Sequence, residues 1–531
     1  MKHYPQLITL FLAITVIVSC GQKEESKSKI PPNILFIFSD DHTAQGWGIY
    51  GGPLKNYVKN ENIQRLAREG AVLENAFCTN SICSPSRASV LTGQYSHINQ
   101  VYTLRESLPE GHPNIAKTLS KNGYQTAVIG KWHLEKKPEG FDYFNVLPGQ
   151  GRYHNPILKT AENWQDGWNS EYGKEYKGFS TDVITGLTIE HLKKRDKSKP
   201  FLMFCNYKAT HEPFDYPERY ASLYVNDTIP EPKSLLDFGK ETTGRSFSGQ
   251  KLETLAGRWA QATVDSTFWT DYPGLPYPLE GLDSIQKRRM IHQKLVKDFM
   301  RSGAAIDDNI GRLLDYLEEE GIAENTIVIY TADQGYFLGE HGFFDKRLIY
   351  EESIRMPFVI RYPKEIKGGQ RIEDIILNID FAALMADYAG VQEVDYVQGK
   401  SFRQNLNGNT PKGWRKQMYY RYWLHEPNRP AHFGLRNERY KLVLFYGQSL
   451  EKNGASNQNT IPAWEFYDLE NDPHELHNGI HDKEYAHIIA KMKQQLILEK
   501  VKYKDFDTTQ VMKDLAKAEG LVLKNLQNEH R

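Results

Sequence analysis

Short apolar runs, each closed by turn residues, recur along the chain with room for a helix between them. Asn33–Ser39, Thr126–Gly130, Phe201–Tyr207, Thr326–Thr331 and Pro357–Arg361 carry almost no polar interruption, the pattern of strands buried on both faces of a parallel sheet. Helical periods separate them, over Asn62–Glu69, Ile115–Asn122 and Ile291–Glu320; in the last, Ile306, Ile310, Leu313, Leu314 and Leu317 fall on one face. This alternation predicts an α/β fold in which one large mixed, mostly parallel sheet is sandwiched by helices. The pattern changes after a Gly-, Asn- and Pro-rich stretch at Gln398–Gly413. Gln417–Trp423, Phe433–Leu435, Tyr440–Phe445 and Trp464–Tyr467 are short aromatic and β-branched runs, suited to a small antiparallel sheet. An amphipathic helix over Lys483–Lys500 follows, through Tyr485, Ile488, Ile489, Met492, Leu496 and Ile497. The chain therefore divides into a large domain over 32–405 and a smaller C-terminal α+β subdomain over 406–531. Gly149–Tyr176 and Asp215–Leu282 show no clean period and read as long insertions, which in compact domains are functional or mobile.

Polar residues cluster where the strands end. Asn33–Ser39 runs into Asp40-Asp41-His42, and Thr126–Gly130 into Lys131-Trp132-His133. His211-Glu212-Pro213 follows Phe201–Tyr207, and Asp333-Gln334-Gly335 follows Thr326–Thr331. Open α/β sheets bind ligands outside the carboxyl ends of their strands. Any one cluster is explained by a capped helix start or a polar loop; four together point to a site. Asp40, Asp41 and Asp333 supply three carboxylates, and Gln334 an amide oxygen, which is a hard-oxygen set suited to calcium or magnesium.

One further stretch, Asn80-Ser81-Ile82-Cys83-Ser84-Pro85-Ser86-Arg87-Ala88-Ser89-Val90-Leu91-Thr92-Gly93, places a cysteine and an arginine at a predicted helix start. Pro85 suits the first turn and Gly93 the stop, so Cys83 lies where free N–H groups and the positive dipole end point outward. Arg87, one turn on, carries a fork matched to a tetrahedral oxyanion. On local features alone the pair is equally a buried thiol and a surface arginine. Cys-x-Pro-Ser-Arg followed by Leu-Thr-Gly, however, resembles the signature of the formylglycine-dependent sulfatases of the alkaline phosphatase superfamily, and the resemblance extends from about Asn33 to Asn478.

That resemblance implies an alkaline phosphatase-like fold and a sulfuric ester hydrolase in which Cys83 becomes formylglycine through a formylglycine-generating or sulfatase-maturing enzyme. It implies one calcium ion held by Asp40, Asp41, Asp333, Gln334 and the modified position 83; the family often carries asparagine where this chain has Gln334. The hydrated aldehyde attacks sulfur. Arg87, Lys131 (in Gly-Lys-Trp-His) and Lys346 (in Phe-Asp-Lys) hold the sulfuryl charge. His211 protonates the leaving oxygen and His133 assists release of sulfate. The stretch from Asp333 through Gly339-Glu340-His341-Gly342 to Glu351-Glu352-Ser353 is most similar to N-acetylglucosamine-6-sulfatase-like and related polysaccharide sulfatases. The expected substrate is a sulfated polysaccharide or its oligosaccharides, with His42, His341, Arg347, Tyr350, His432 and Arg436 as candidate sugar contacts. The rival readings are a phosphonate monoester hydrolase or phosphodiesterase of the same superfamily, and a glycan-binding surface lipoprotein whose Cys83 is never modified.

Composition narrows the partners. Across 531 residues, 66 basic and 67 acidic side chains leave a net charge of −1, which excludes a chain-wide nucleic-acid footprint. The 31 Tyr, 24 Phe and 9 Trp suit carbohydrate stacking and ordinary packing alike. Lys2 and His3 precede an apolar run, Leu7–Val18, that is too short to span a bilayer and matches a signal-peptide core. Ile17-Val18-Ser19-Cys20 resembles a bacterial lipobox, so 1–19 reads as a signal peptide, Cys20 as the lipidated membrane anchor and 20–31 as a tether. Gln22-Lys23-Glu24-Glu25 resembles a surface-export signal, which places the lipoprotein at the outer-membrane surface or in the periplasm of a Gram-negative bacterium. Cys78 and Cys205 are read as buried free thiols.

Overall fold

The computed structural model describes residues 31–521 apart from 165–166, 168–171, 238–246, 265–276, 393 and 507–508, together with Met1. The leader, Cys20 and the tether lie outside the described residues. Eight strands make the main sheet: β1 (Asn33–Ser39), β2 (Ala71–Leu73), β3 (Gln125–Lys131), β4 (Tyr143–Leu147), β5 (Phe201–Asn206), β6 (Thr326–Ala332), β7 (Phe358–Arg361) and β8 (Gln370–Ile372). Their order is β8-β2-β7-β6-β1-β5-β3-β4. Only β7 runs antiparallel to its neighbours. The expected mixed, mostly parallel sheet is therefore present, with β2, β4 and β8 added; β2 and β8 have three residues each, too few to show a period.

Alternation along β1 feeds two cores. Ile34, Phe36 and Phe38 face one side, Leu35 and Ile37 the other, all at most 2% exposed. In register, Phe36 stands opposite Phe204 of β5 and Ile329 of β6. One face is covered by α1 (Glu61–Arg68), α4 (Ser180–Lys193) and α6 (Ser284–Glu319). The other is covered by α2 (Cys83–Thr92), α3 (Ile115–Lys121) and α7 (Asp380–Tyr388). Burying each large apolar side chain contributes roughly 1.5–3 kcal/mol.

Helix α6 starts two turns before the predicted Ile291. Its first residues, Ser-Ile-Gln-Lys-Arg-Arg, are mostly polar and carry no apolar stripe, but Asp283 and Gln286 close a capping box. The insertion over Asp215–Leu282 includes α5 (Leu252–Val264), whose Leu252, Leu255 and Trp259 pack with Leu295 and Phe299 of α6 in a third, smaller core. The second sheet is antiparallel, with β9 (Gln417–Tyr422), β10 (His432–Asn437), β11 (Tyr440–Phe445) and β12 (Ala463–Asp468) in consecutive order. Helix α8 (Ala486–Lys502) packs on it. Met418, Tyr420, Phe433 and Leu442 share the core of α2 and α7, and the described residues from Pro31 onward form one compact unit. Among the described residues no helix is long and apolar enough to cross a membrane.

Candidate active site

Strands β1, β3, β5 and β6 are parallel, so their carboxyl ends open on one edge of the sheet. Asp40 follows β1, Lys131 closes β3, and Asp333 follows β6. Close strand approach is written into Gly130: a Cβ there would lie 1.9 Å from the Asn206 carbonyl, and its φ is 103°. Asp41 (φ 60°) and His133 (φ 53°) both occupy the left-handed region, which costs a non-glycine residue on the order of 1–3 kcal/mol and is concentrated at functional sites.

Cys83 is the first residue of α2, with Ile82 as a non-bonding N-cap and Gly93 (φ 67°) as the left-handed stop. The thiol is 1% exposed, and burial, with Asp40, Asp41 and Asp333 around it, pushes it far above the usual range against the pull of Lys346. An unmodified thiol there stays protonated and is a poor nucleophile. Ligand atoms of Asp40, Asp41 and Asp333 lie within 4.8 Å of one another, as do those of Asp40, Cys83 and His211. Asp40 is common to both groups, so the cysteine and the three carboxylates belong to one site.

The carboxylates are not alike. Burial opposes ionisation of Asp40, yet Lys131, His211 and Arg87 hold it well below the carboxylate range. Burial and Asp40 push Asp41 up to about 6 against Lys346, and burial with Asp40 and Asp41 raises Asp333 well above its ordinary value. Arg87 donates Nε to Asp333 at 3.0 Å, Nη2 to Asp40 at 3.2 Å and Nη1 to the Lys131 carbonyl at 3.1 Å. Lys131 Nζ bonds Asp40, and Lys346 Nζ lies 2.5 Å from both oxygens of Asp41. Gln334 donates Nε2 to Asp41, while its buried Oε1 has no partner among the described residues. Three carboxylates that resist joint ionisation and an orphaned amide oxygen fit a hard divalent cation; the longer glutamine is no obstacle to that fit.

The histidines flank this cradle. His211 sets Nδ1 2.6 Å from the Glu212 carbonyl and Nε2 3.8 Å from Asp41. The Nδ1 contact assigns the ring proton to that nitrogen and leaves Nε2 toward the site. His133 is held by Ser84 Oγ, which donates to its carbonyl at 2.7 Å. Burial, reinforced by Lys131, keeps both rings far below the ordinary imidazole value and hence neutral.

A profile described as Sulfatase matches residues 32–391. The chain belongs to the sulfatase family. A second profile, N-sulphoglucosamine sulphohydrolase, C-terminal, matches residues 339–502. The N-acetylglucosamine-6-O-sulfatase of Bacteroides thetaiotaomicron is 36% identical over 563 residues, covering 99% of this chain and 96% of the relative. A solved structure described as a complex with its substrate, D-glucosamine-2-N,6-O-disulfate, matches with TM-score 0.80 at 35% identity, over 90% of this chain and 99% of that one. The phosphonate monoester hydrolase of Silicibacter pomeroyi shares the fold, with TM-score 0.66 at 21% identity over 90% of this chain and 96% of that one.

Within this sulfatase, most of the expected sugar contacts are packed against other side chains. His42 is stacked 4.4 Å from Trp47 and 5.2 Å from Phe299, and burial pushes it down to about 3. His432 is fully buried between Tyr420 and Phe445, at 5.6 and 4.6 Å. Tyr350 donates to Glu465 at 2.9 Å, with His341 stacked 5.0 Å from its ring and 3.4 Å from Asp237. Arg436 forks onto Glu351 at 3.2 and 3.0 Å over the Phe77 ring. Only Arg347 stays half-buried beside the site, next to Lys346 in sequence and bonded to Asp345 at 2.8 Å and Tyr422 at 3.0 Å. Tyr350 is covered by β12 of the second sheet, His432 and Arg436 lie in that sheet, and His42 is buried against Trp47 and Phe299 of α6, contacts that no local pattern announces.

Three neighbours of this cluster were not anticipated. Gln150 accepts from Lys131, Asn206 donates to the Lys131 carbonyl at 2.9 Å, and Tyr153 donates to the His211 carbonyl at 2.6 Å. Gln150 follows β4 as Asp40 follows β1, so recognition of β4 in the sequence reveals it.

Proposed function

We propose that this sulfatase is an exported lipoprotein, anchored through Cys20, that removes the 6-O-sulfate of a glucosamine-containing sulfated glycan by means of formylglycine at position 83 and one calcium ion. The single observation that carries the chemistry is the convergence of Asp40, Asp41, Asp333 and Cys83 into one buried cluster. The substrate class rests on the similarity to the two glucosamine-active relatives. Conversion of Cys83 by a maturing enzyme would supply a hydrated aldehyde, one hydroxyl of which attacks sulfur once ionised, while the other gives up its proton as the C–O bond to sulfate breaks and the aldehyde is restored. Calcium held by Asp40, Asp41, Asp333 and Gln334 supplies positive charge that favours the ionised hydroxyl and the sulfate.

The chain's own residues do the rest. Arg87 fixes Asp40 and Asp333 relative to one another. Lys131 and Lys346 are the cations available to the sulfuryl oxygens, whose charge they stabilise. His211 keeps its Nδ1–H on the Glu212 carbonyl, so Nε2 must first take up a proton, which the negative charge of the bound sulfate ester favours; this imidazolium then delivers the Nε2 proton to the departing sugar oxygen and returns to the neutral ring. His133 receives a proton as sulfate is released. The test is to incubate the matured full-length protein with N-acetylglucosamine-6-sulfate and with a phosphonate monoester, while following the mass of the Cys83 peptide. Sulfate release accompanied by the formylglycine mass is the expected result. An unmodified thiol with full activity, or preference for the phosphonate, overturns it. Loss of fatty-acid labelling in Cys20→Ala tests the anchor.

A further inference from the structure

The loop that leaves β4 touches both flanks of the site. Gln150, three residues past the strand, sets Oε1 2.5 Å from Lys131 Nζ and Nε2 3.5 Å from His133 Nε2. Three residues later, Tyr153 donates its hydroxyl to the His211 carbonyl at 2.6 Å. Tyr153 is itself immobilised. It is 1% exposed, it stacks on Phe179 at 5.5 Å, and its carbonyl accepts from the Ser180 N–H at 2.6 Å. Lys208 Nζ, buried and without a hydrogen-bond partner among the described residues, lies 4.7 Å over its ring. His154 stands 3.1 Å from the Asp215 carboxylate, which ties the next residue of the loop to the segment after His211.

We infer that residues 150–154 are a positioning strap that sets the two halves of the reaction separately: Gln150 aligns Lys131 with His133 on the sulfuryl side, and Tyr153 aligns His211 on the leaving-group side. The physical need differs at the two ends. Lysine has a flexible four-carbon stem, and an ammonium held only by Asp40 still pivots about that contact. Gln150 Oε1 gives it a second acceptor and so a direction. The same amide presents N–H to His133 Nε2, which selects the tautomer with its proton on Nδ1. At His211 the ring is already bonded to the Glu212 carbonyl, so its remaining freedom is rotation of the backbone that carries it. The Tyr153 hydroxyl locks that backbone at the residue's own carbonyl.

The inference rests on the roles proposed above for Lys131, His133 and His211, and the test separates its failure from theirs. Steady-state kinetics of the full-length matured protein are measured on N-acetylglucosamine-6-sulfate and on 4-nitrophenyl sulfate, whose leaving group needs little protonation. Gln150→Ala is expected to lower kcat/KM roughly 10- to 100-fold on both substrates, as loss of an orienting partner does at other sites. Gln150→Glu keeps the acceptor for Lys131 and loses the donor to His133, so it restores KM but not kcat. Tyr153→Phe is expected to cost roughly tenfold on the sugar sulfate and no more than about threefold on the aryl sulfate. Equal losses on both substrates for Tyr153→Phe, or wild-type kinetics for Gln150→Ala, overturn the strap if Lys131→Ala and His211→Ala remain impaired. If those two variants also turn over normally, the roles and the strap fall together.

Discussion

Two regions of this protein bury the same kinds of side chain and use them differently. At the strand ends, Asp40, Asp41 and Asp333 crowd together, two of the three are pushed up by burial and mutual repulsion, and Gln334 Oε1 has no partner among the described residues. Around the second sheet, opposite charges meet in pairs. Arg436 binds both oxygens of Glu351, and Arg421 sets Nη1 2.7 and 2.8 Å from the two oxygens of Asp505 beneath the Trp423 ring. A region whose polar groups are mutually satisfied has finished its work in folding. One that leaves like charges together and an acceptor bare is waiting for a ligand. Residue type alone does not separate the two cases, which is why His432 and Arg436 resembled sugar contacts.

The contrast makes quantitative demands. Cys83→Ala removes the nucleophile precursor and is expected to cut sulfate release by roughly 10⁴-fold or more, with an unchanged melting curve. His211→Ala should cost roughly 10²–10⁴-fold on sugar sulfates and far less on aryl sulfates; equal losses argue against the acid role. Arg421→Met belongs to the other region. It removes the two Arg421 bonds to Asp505 and leaves Lys500, at 3.0 Å, and the Tyr419 hydroxyl as partners, so denaturant titration should show about 1.5–3 kcal/mol of lost stability while turnover per folded molecule holds. A smaller, pH-dependent effect is expected at Glu352, where burial, with Glu340 and Glu475, lifts the carboxyl to about 8 against His341. The folded chain then keeps a proton that the unfolded chain loses from about pH 4.5, so this group's contribution to stability falls as pH rises to about 8 and is level above. Glu352→Gln should flatten that slope in melts taken across the range. The smallest effect is expected at His432→Leu, with KM for the sugar sulfate within about twofold of wild type; a large rise in KM would return this residue to the sugar pocket.

Much of the main sheet was legible because β1, β5 and β6 are apolar on both faces and six or seven residues long. The first turns of α6 and the strands β2 and β8 were not, being polar in one case and three residues long in the other. The clustered carboxylates, Lys131 and the histidines could be placed from the rule that strand ends carry ligands. Gln150 and Tyr153 escaped it because β4, an edge strand reading Tyr-Phe-Asn-Val-Leu, lacks the unbroken apolar run of its neighbours.

Local chemistry determined which segments become strands, where α2 begins and ends, and which residue types stand ready at the sheet's edge, since period, capping and turn preference act over a few residues. Only the tertiary structure decided which of those residues meet. Arg87 bridges Asp40 and Asp333 across 47 and 246 positions of sequence, and Tyr153 reaches His211 across 58. Such contacts depend on strand order and on what the second sheet covers, and those are set by burying the apolar faces of the whole unit at once, not by any stretch of it.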